Sequence, residues 1–391
     1  MTSDLSPHLI RNPDLDVDHD NLGMWNRAHT RRHGFRNLHR LHRMGLTARS
    51  SQVLPLRTRI ERWIGDLPEV RRLTGSTIFC GMVVAKGRDL LFETYADDFG
   101  PDMPHSIQSI TKTNLNLIYG RLLADGLVDL EKPVEFYIPE IGSGYRGRTV
   151  QQVLDMNVMN NFDEDYAAPY DPPPAPGERW GYGQEEVAMN WRLPPPGQAH
   201  YGVRDLAVRL EDDGTTNPDN IMHYKSANTD LAGWIAERVS GRDLKAWFID
   251  NVEAAGLEGC FHISLDKDFV PVFSGGGLLT TRDLARWGLL FARGGIGVDG
   301  TPAGDPAFIE TTRNNRGTFI IGPRSDQRYS NQMFTNGTWV GHGGYGGQFV
   351  MADPDSQAAV SFYSVLETSH AQDDTYLAEV IAMSQEILAR L

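Results

Sequence analysis

Two rhythms of apolar and polar positions run through this chain. After residue 112, Leu115, Ile118, Tyr119 and Leu122 repeat at helical spacing and Asp125-Gly126 marks a stop, which predicts a helix opened by Ser109. Residues 56–73 read as an amphipathic helix. Near the C-terminus Leu377, Val380, Ile381, Ser384, Ile387, Leu388 and Leu391 share one face, which predicts a final helix. Residues 78–84 and 90–95 are apolar runs separated by Lys86-Gly87-Arg88-Asp89, a hairpin signal. Strands are expected again at 338–342, 348–352 and 358–365, with Asp353-Pro354-Asp355 turning between the last two.

Strands near both ends with helices between them predict an α/β (α+β) fold. One antiparallel sheet is built from the two chain ends and flanked by helices, and a mostly helical region is inserted. The parts expected are an irregular N-terminal segment, 1–54, wrapping the body; a sheet domain, 55–105 and 271–391; and a mostly helical domain, 106–270. Pro172-Pro173-Pro174 and Pro194-Pro195-Pro196 bracket a stretch holding Trp180, Tyr182 and Trp191. It reads as an aromatic loop over a site. Asp14, Asp16, Asp18 and Asp20 alternate like a calcium loop but lack its glycine and distal glutamate, so a solvated tail is expected. Residues 25–43 hold six arginines together with His29, His33, His39 and His42. No carboxylate or cysteine joins these histidines at ligand spacing, so the segment reads as a wrap on an acidic body.

Composition narrows the function classes. The 391 residues carry a net charge of −14, which argues against nucleic acid or an anionic membrane as partner. The two cysteines, Cys80 and Cys260, cannot build a disulfide framework. No apolar signal core opens the chain and no stretch would span a membrane, so a cytoplasmic protein is expected. No metal or cofactor is called for. A homodimer is left open.

The chemistry gathers around Ser109-Ile110-Thr111-Lys112. A serine and a lysine three apart lie on one helix face, so the amine can take the proton of the hydroxyl. Partial desolvation makes that lysine a better base. The helix start also offers the Ser109 N–H to an oxyanion. This is the S-x-x-K pattern of penicillin-recognising enzymes and their esterase relatives. A second match, Ser264-Leu265-Asp266-Lys267, has no helical pattern after it and reads as a surface loop. Tyr224, in His223-Tyr224-Lys225-Ser226, precedes a helical stretch at 229–239. Flanked by cations, it is expected to have a lowered pKa and to relay a proton. Gly341-His342-Gly343-Gly344-Tyr345-Gly346-Gly347 contains a literal G-x-G-x-x-G, but a strand pattern follows it, so nucleotide binding is rejected. A glycine-rich strand edge would let the backbone approach an acyl group, with the Tyr345 N–H as second oxyanion donor.

Together these blocks resemble the serine β-lactamase superfamily: class C β-lactamases, DD-peptidases, family VIII carboxylesterases and nylon-oligomer (6-aminohexanoate-dimer) hydrolases. The resemblance runs from about residue 55 to the C-terminus and is closest to the nylon-oligomer branch. It rests on QSITK, LDMNVMNNFDEDY, YKSANTDLAGWIAERVSG and GGGLLTTRDLARWG. It implies a β-lactamase/transpeptidase-like fold, with Ser109 as nucleophile, Lys112 as base and Tyr224 as proton relay. It further implies Tyr166 as a substrate contact; Ser226, Gly344 and His342 are further candidates for that role, with a structural histidine the other reading of His342. The Lys-Thr-Gly of lactamases is His342-Gly343-Gly344 here, and the usual Tyr-x-Asn is Tyr224-Lys225-Ser226. Loss of the lysine and threonine that hold a β-lactam carboxylate favours a different acyl compound, unless a protonated His342 restores part of the contact. The reading is a serine esterase or amidase working through an acyl-enzyme. An acyltransferase, a β-lactamase or DD-peptidase, and a non-catalytic binding protein on the same fold are the alternatives.

Overall fold

The apolar run expected at 78–84 forms the strand Phe79–Lys86 in a computed structural model that describes residues 25–166, 179–314 and 317–391. This strand is buried on both faces, which is why its sequence is continuously apolar instead of alternating. Met82 and Val84 enter one core with Phe349, Met351 and Val360, covered by Val380 and Ile381 of the helix Asp374–Ala389. Val83 and Ala85 enter the other with Val350 and Ala359, covered by Trp287 of the helix Thr281–Ala292.

Among the described residues the sheet has nine strands, in the order Thr318–Phe319, Arg328–Ser330, Met333–Thr335, Val340–Gly344, Gln348–Asp353, Ala358–Ser364, Phe79–Lys86, Asp89–Tyr95 and Arg57–Thr58. All neighbours are antiparallel except the last pair. Pairing of Ala358–Ser364 with Phe79–Lys86 joins the two ends of the chain, so the sheet draws on both. Between them lie the helices Thr113–Ala124, Ser226–Ser240 and Leu244–Ala255. The Tyr119 hydroxyl donates to the Ala232 carbonyl at 2.9 Å and ties the first two together.

Several expectations are corrected. The N-terminal segment is not irregular throughout. It forms the helix Arg31–Leu41 and the strand Gly45–Arg49, which pairs antiparallel with Cys260–Ser264. Phe35 and Leu38 are fully buried. The many arginines and histidines hid this amphipathic face, because Arg31 itself is buried and satisfied by backbone carbonyls. Residues 56–73 are not one helix but a short strand followed by Arg62–Asp66 and Pro68–Thr74. Pro68 pushes Leu67 into extended backbone, which breaks the helix. The described part of the aromatic stretch packs into the body. Tyr182–Ala188 is a helix, and the buried Trp191 packs edge-on against Trp25 and stacks on His42. Ser264 is buried at a strand end, where it accepts the Trp191 indole N–H at 3.0 Å, so it is not on a surface loop. Asp14, Asp16, Asp18, Asp20 and the Pro172 cluster lie outside the described residues.

Among the described residues no group of three His, Cys, Asp or Glu could hold a metal ion. No helix among them is long and apolar enough to cross a membrane.

Candidate active site

Ser109 sits on a tight 3-10 turn, Gln108–Lys112, before the α-helix Thr113–Ala124. In a 3-10 turn residues i and i+3 eclipse, so Lys112 lies directly over Ser109. The preceding Gln108 has φ +46°, a left-handed conformation that costs a non-glycine residue energy. Two bonds hold it: its amide donates to Ser106 Oγ at 2.7 Å, and its carbonyl accepts the Thr111 hydroxyl at 2.6 Å.

Lys112 is fully buried. Its Nζ lies 3.2 Å from Ser109 Oγ and 2.8 Å from Ser226 Oγ, and it also donates to the Ser274 carbonyl. Burial pushes its pKa down, against the pull of Glu164, Glu185 and Asp230. The Ser226 hydroxyl donates onward to Glu164 Oε1 at 2.9 Å. Ser226 and Ser274 therefore both accept from the lysine. A neutral amine in this place donates its two hydrogens to them and keeps its lone pair for the Ser109 hydroxyl.

Tyr224 stands just before the helix Ser226–Ser240, with Lys112 Nζ 4.9 Å from its ring centre. The lowered pKa expected of it is corrected. Burial and the charge of Glu164 push it well above 10, and the nearby Ser109 and Arg324 only partly offset this. Its hydroxyl is buried and makes no hydrogen bond of good geometry to a described residue. Tyr224 is thus a protonated phenol at working pH, suited to give a proton.

Across the site the strand Val340–Gly344 turns through Tyr345, Gly346 and Gly347 into Gln348–Asp353. A Cβ on Gly344 would stand 2.4 Å from the Ile107 carbonyl oxygen, so only glycine lets this strand press against the Ser109 turn. Gly346 and Gly347 have φ of +101° and +102°. The Tyr345 ring lies 5.0 Å from that of Tyr166.

A cavity of about 350 Å³ opens on these groups. Ser109, Tyr166, Tyr224, His342, Gly344 and Tyr345 all line it. Ser226 does not; its hydroxyl serves Lys112 and Glu164 instead. His342 lines the wall, yet its Nδ1 is 2.6 Å from the Gly343 carbonyl and its Nε2 is 3.2 Å from the Tyr329 hydroxyl. Burial lowers its pKa to about 3, so the protonated contact considered above is corrected: the ring stays neutral. Among the lining groups that escaped the sequence reading are Glu164 and Arg324. Glu164, two residues before Tyr166, accepts from the Tyr166 hydroxyl and from both the N–H and the hydroxyl of Ser226. Arg324, on the turn Gly322–Arg324, is buried with Nε and Nη1 free of partners among the described residues, while Nη2 donates to Asp374 at 3.1 Å. The Glu-Asp-Tyr triplet was a usable signal for the first; nothing local marked the second.

The second serine–lysine match is not assembled. Lys267 Nζ turns to Asp268 at 2.7 Å and Asp205 at 3.5 Å.

Comparison with known proteins fits this architecture. Residues 62–382 match the Beta-lactamase family model, and the chain belongs to that family. It is a Beta-lactamase-family hydrolase. It is 29% identical over 297 residues to the 6-aminohexanoate-dimer hydrolase of Paenarthrobacter ureafaciens, covering 75% of this chain and 72% of that one. Its fold is similar to that of a putative 6-aminohexanoate-dimer hydrolase from Bacillus anthracis, with TM-score 0.76, 19% identity and coverage of 92% and 94%. A family VIII carboxylesterase shares the fold at TM-score 0.54 and 16% identity, covering 83% and 96%.

Proposed function

We propose that the chain hydrolyses a small-molecule ester or amide through an acyl-Ser109 intermediate. The observation that carries this is the Lys112 amine, 3.2 Å from the Oγ of cavity-lining Ser109 and itself fully buried and desolvated. Neutral Lys112 takes the Ser109 proton while Oγ attacks the carbonyl carbon. The N–H groups of Ser109 and Tyr345 hold the oxyanion. The protonated Tyr224 then gives its proton to the leaving oxygen or nitrogen, the C–O or C–N bond breaks, and the Lys112 ammonium returns a proton to Tyr224. Water adds to the acyl group with the same base and restores Ser109. The amide substrate of the similar 6-aminohexanoate-dimer hydrolase and the ester chemistry of the similar carboxylesterase are both within reach of this machinery.

The test is a panel of short-chain p-nitrophenyl esters and linear amides given to the wild type and to Ser109→Ala. Turnover by the first and none by the second is expected. Equal turnover by both would remove Ser109 from the mechanism.

A further inference from the structure

The residues before 62 lie outside the family match, yet the helix Arg31–Leu41 reaches the active-site turn. Phe35 touches it directly: a Cβ on Gly346 would lie 2.5 Å from Phe35 Cε2. The Phe35 ring is 6.4 Å from that of Tyr345 and packs edge-on against His105 at 5.7 Å. Arg31 is fully buried, and its guanidinium lies 5.7 Å from the centre of the Tyr345 ring. That guanidinium donates to the carbonyls of Leu366 at 2.6 Å, Thr368 at 2.9 Å and Ser369 at 3.4 Å. The same loop grips the turn by its backbone. Gly346 N–H donates to Ala371 O at 3.0 Å, and Leu366 N–H donates to Gly346 O at 2.9 Å. One cation thus ties the Tyr345 ring to the loop that holds the next residue of the turn.

We propose that Arg31 is a positioning residue, which with Phe35 fixes the Gly344–Gly347 turn and so aims the Tyr345 N–H at the oxyanion. The inference rests on the proposed function, in which that N–H is an oxyanion donor. A buried fork of N–H donors suits the task, because it satisfies several carbonyls at once and leaves the turn one arrangement. An oxyanion donor acts only when its hydrogen bond points at the position the oxyanion takes, so a loosened turn loses transition-state binding and leaves ground-state binding in place.

The experiment compares the wild type with Arg31→Gln, Arg31→Lys and Phe35→Leu, all as full-length chains. A p-nitrophenyl ester is the substrate and phenylboronic acid the inhibitor, because its serine adduct places an oxygen where the oxyanion forms. Arg31→Gln should lower kcat by about 10-fold to 100-fold, short of the loss of a whole donor, with KM changed less than about 3-fold. Its boronate affinity should fall in parallel with kcat. Arg31→Lys should recover part of both, and Phe35→Leu should show the same split more weakly. Thermal melts report folding separately; should Arg31→Gln not fold, the lysine and leucine variants carry the comparison. Unchanged kcat, or a fall in kcat without loss of boronate affinity, would overturn the proposal. Failure of the wild type to form an acyl or boronate adduct would instead overturn the function on which it rests.

Discussion

At the scale of single residues, the site is set by which groups burial leaves charged. Lys112 loses water on all sides, which favours the neutral amine, while three nearby carboxyl groups favour the ammonium. Burial is the larger influence, so the pKa lies below the ordinary 10.5. The proposed mechanism needs the neutral form. The rate should therefore rise with pH as Lys112 deprotonates, with a midpoint below 10.5, and Lys112→Arg should lose at least about 10²-fold, because a guanidinium stays protonated. A pH profile of kcat/KM on an aryl ester, corrected for spontaneous hydrolysis, reads this directly. A rising limb centred at 10.5 or above would mean the lysine is not desolvated. Tyr224 is pushed the other way, well above 10, and so stays protonated, as the proposed leaving-group acid must be. Tyr224→Phe should then cost at least about 10²-fold in kcat on an amide and much less on a p-nitrophenyl ester, whose phenolate leaves without a proton. Kinetics of the two substrate types with one variant are sufficient. Equal losses would take Tyr224 out of the leaving-group role.

At the scale of elements, the site depends on backbone approaches that only certain residues permit. The 3-10 turn of Ser109 and the strand Val340–Gly344 meet at Gly344, where a side chain would run into the Ile107 carbonyl. Gly344→Ala should therefore separate strand and turn, costing about 1–3 kcal/mol of stability by overpacking and about 10²-fold in kcat by displacement of the oxyanion donors. A thermal melt beside ester kinetics measures both; retention of full activity would show that this approach is unnecessary. The same elements explain what the sequence made legible. Ser109 and Lys112 share one local turn, so their spacing carried the geometry, and Tyr224 was marked by its place before a helix. Glu164 was within reach through the Glu-Asp-Tyr triplet, whereas Arg324 comes from a turn whose position depends on packing far along the chain, and no spacing rule reaches it. The 56–73 helix was misread because apolar periodicity runs through Pro68 although the backbone cannot.

At the scale of the molecule, the strand Val340–Gly344 of the nine-stranded sheet packs against the turn of Ser109, although the two lie far apart in sequence. The N-terminal segment, read from its charge as a loose wrap, is instead part of the body: the strand Gly45–Arg49 extends the sheet of Cys260–Ser264, and Arg31 is as buried as any core residue. Charge on a sequence marks a solvated face only when no carbonyls wait inside to receive it. Family membership and the fold agree with the cavity in pointing to hydrolysis, and the account turns on one atom, Ser109 Oγ. The most direct measurement is the intact mass of the full-length protein after exposure to a fluorophosphonate, for the wild type and for Ser109→Ala. The account predicts one adduct on the wild type, mapped to the peptide that holds Ser109, and none on the variant. No adduct on the wild type, or an adduct that persists in Ser109→Ala and maps to Ser264, would contradict it.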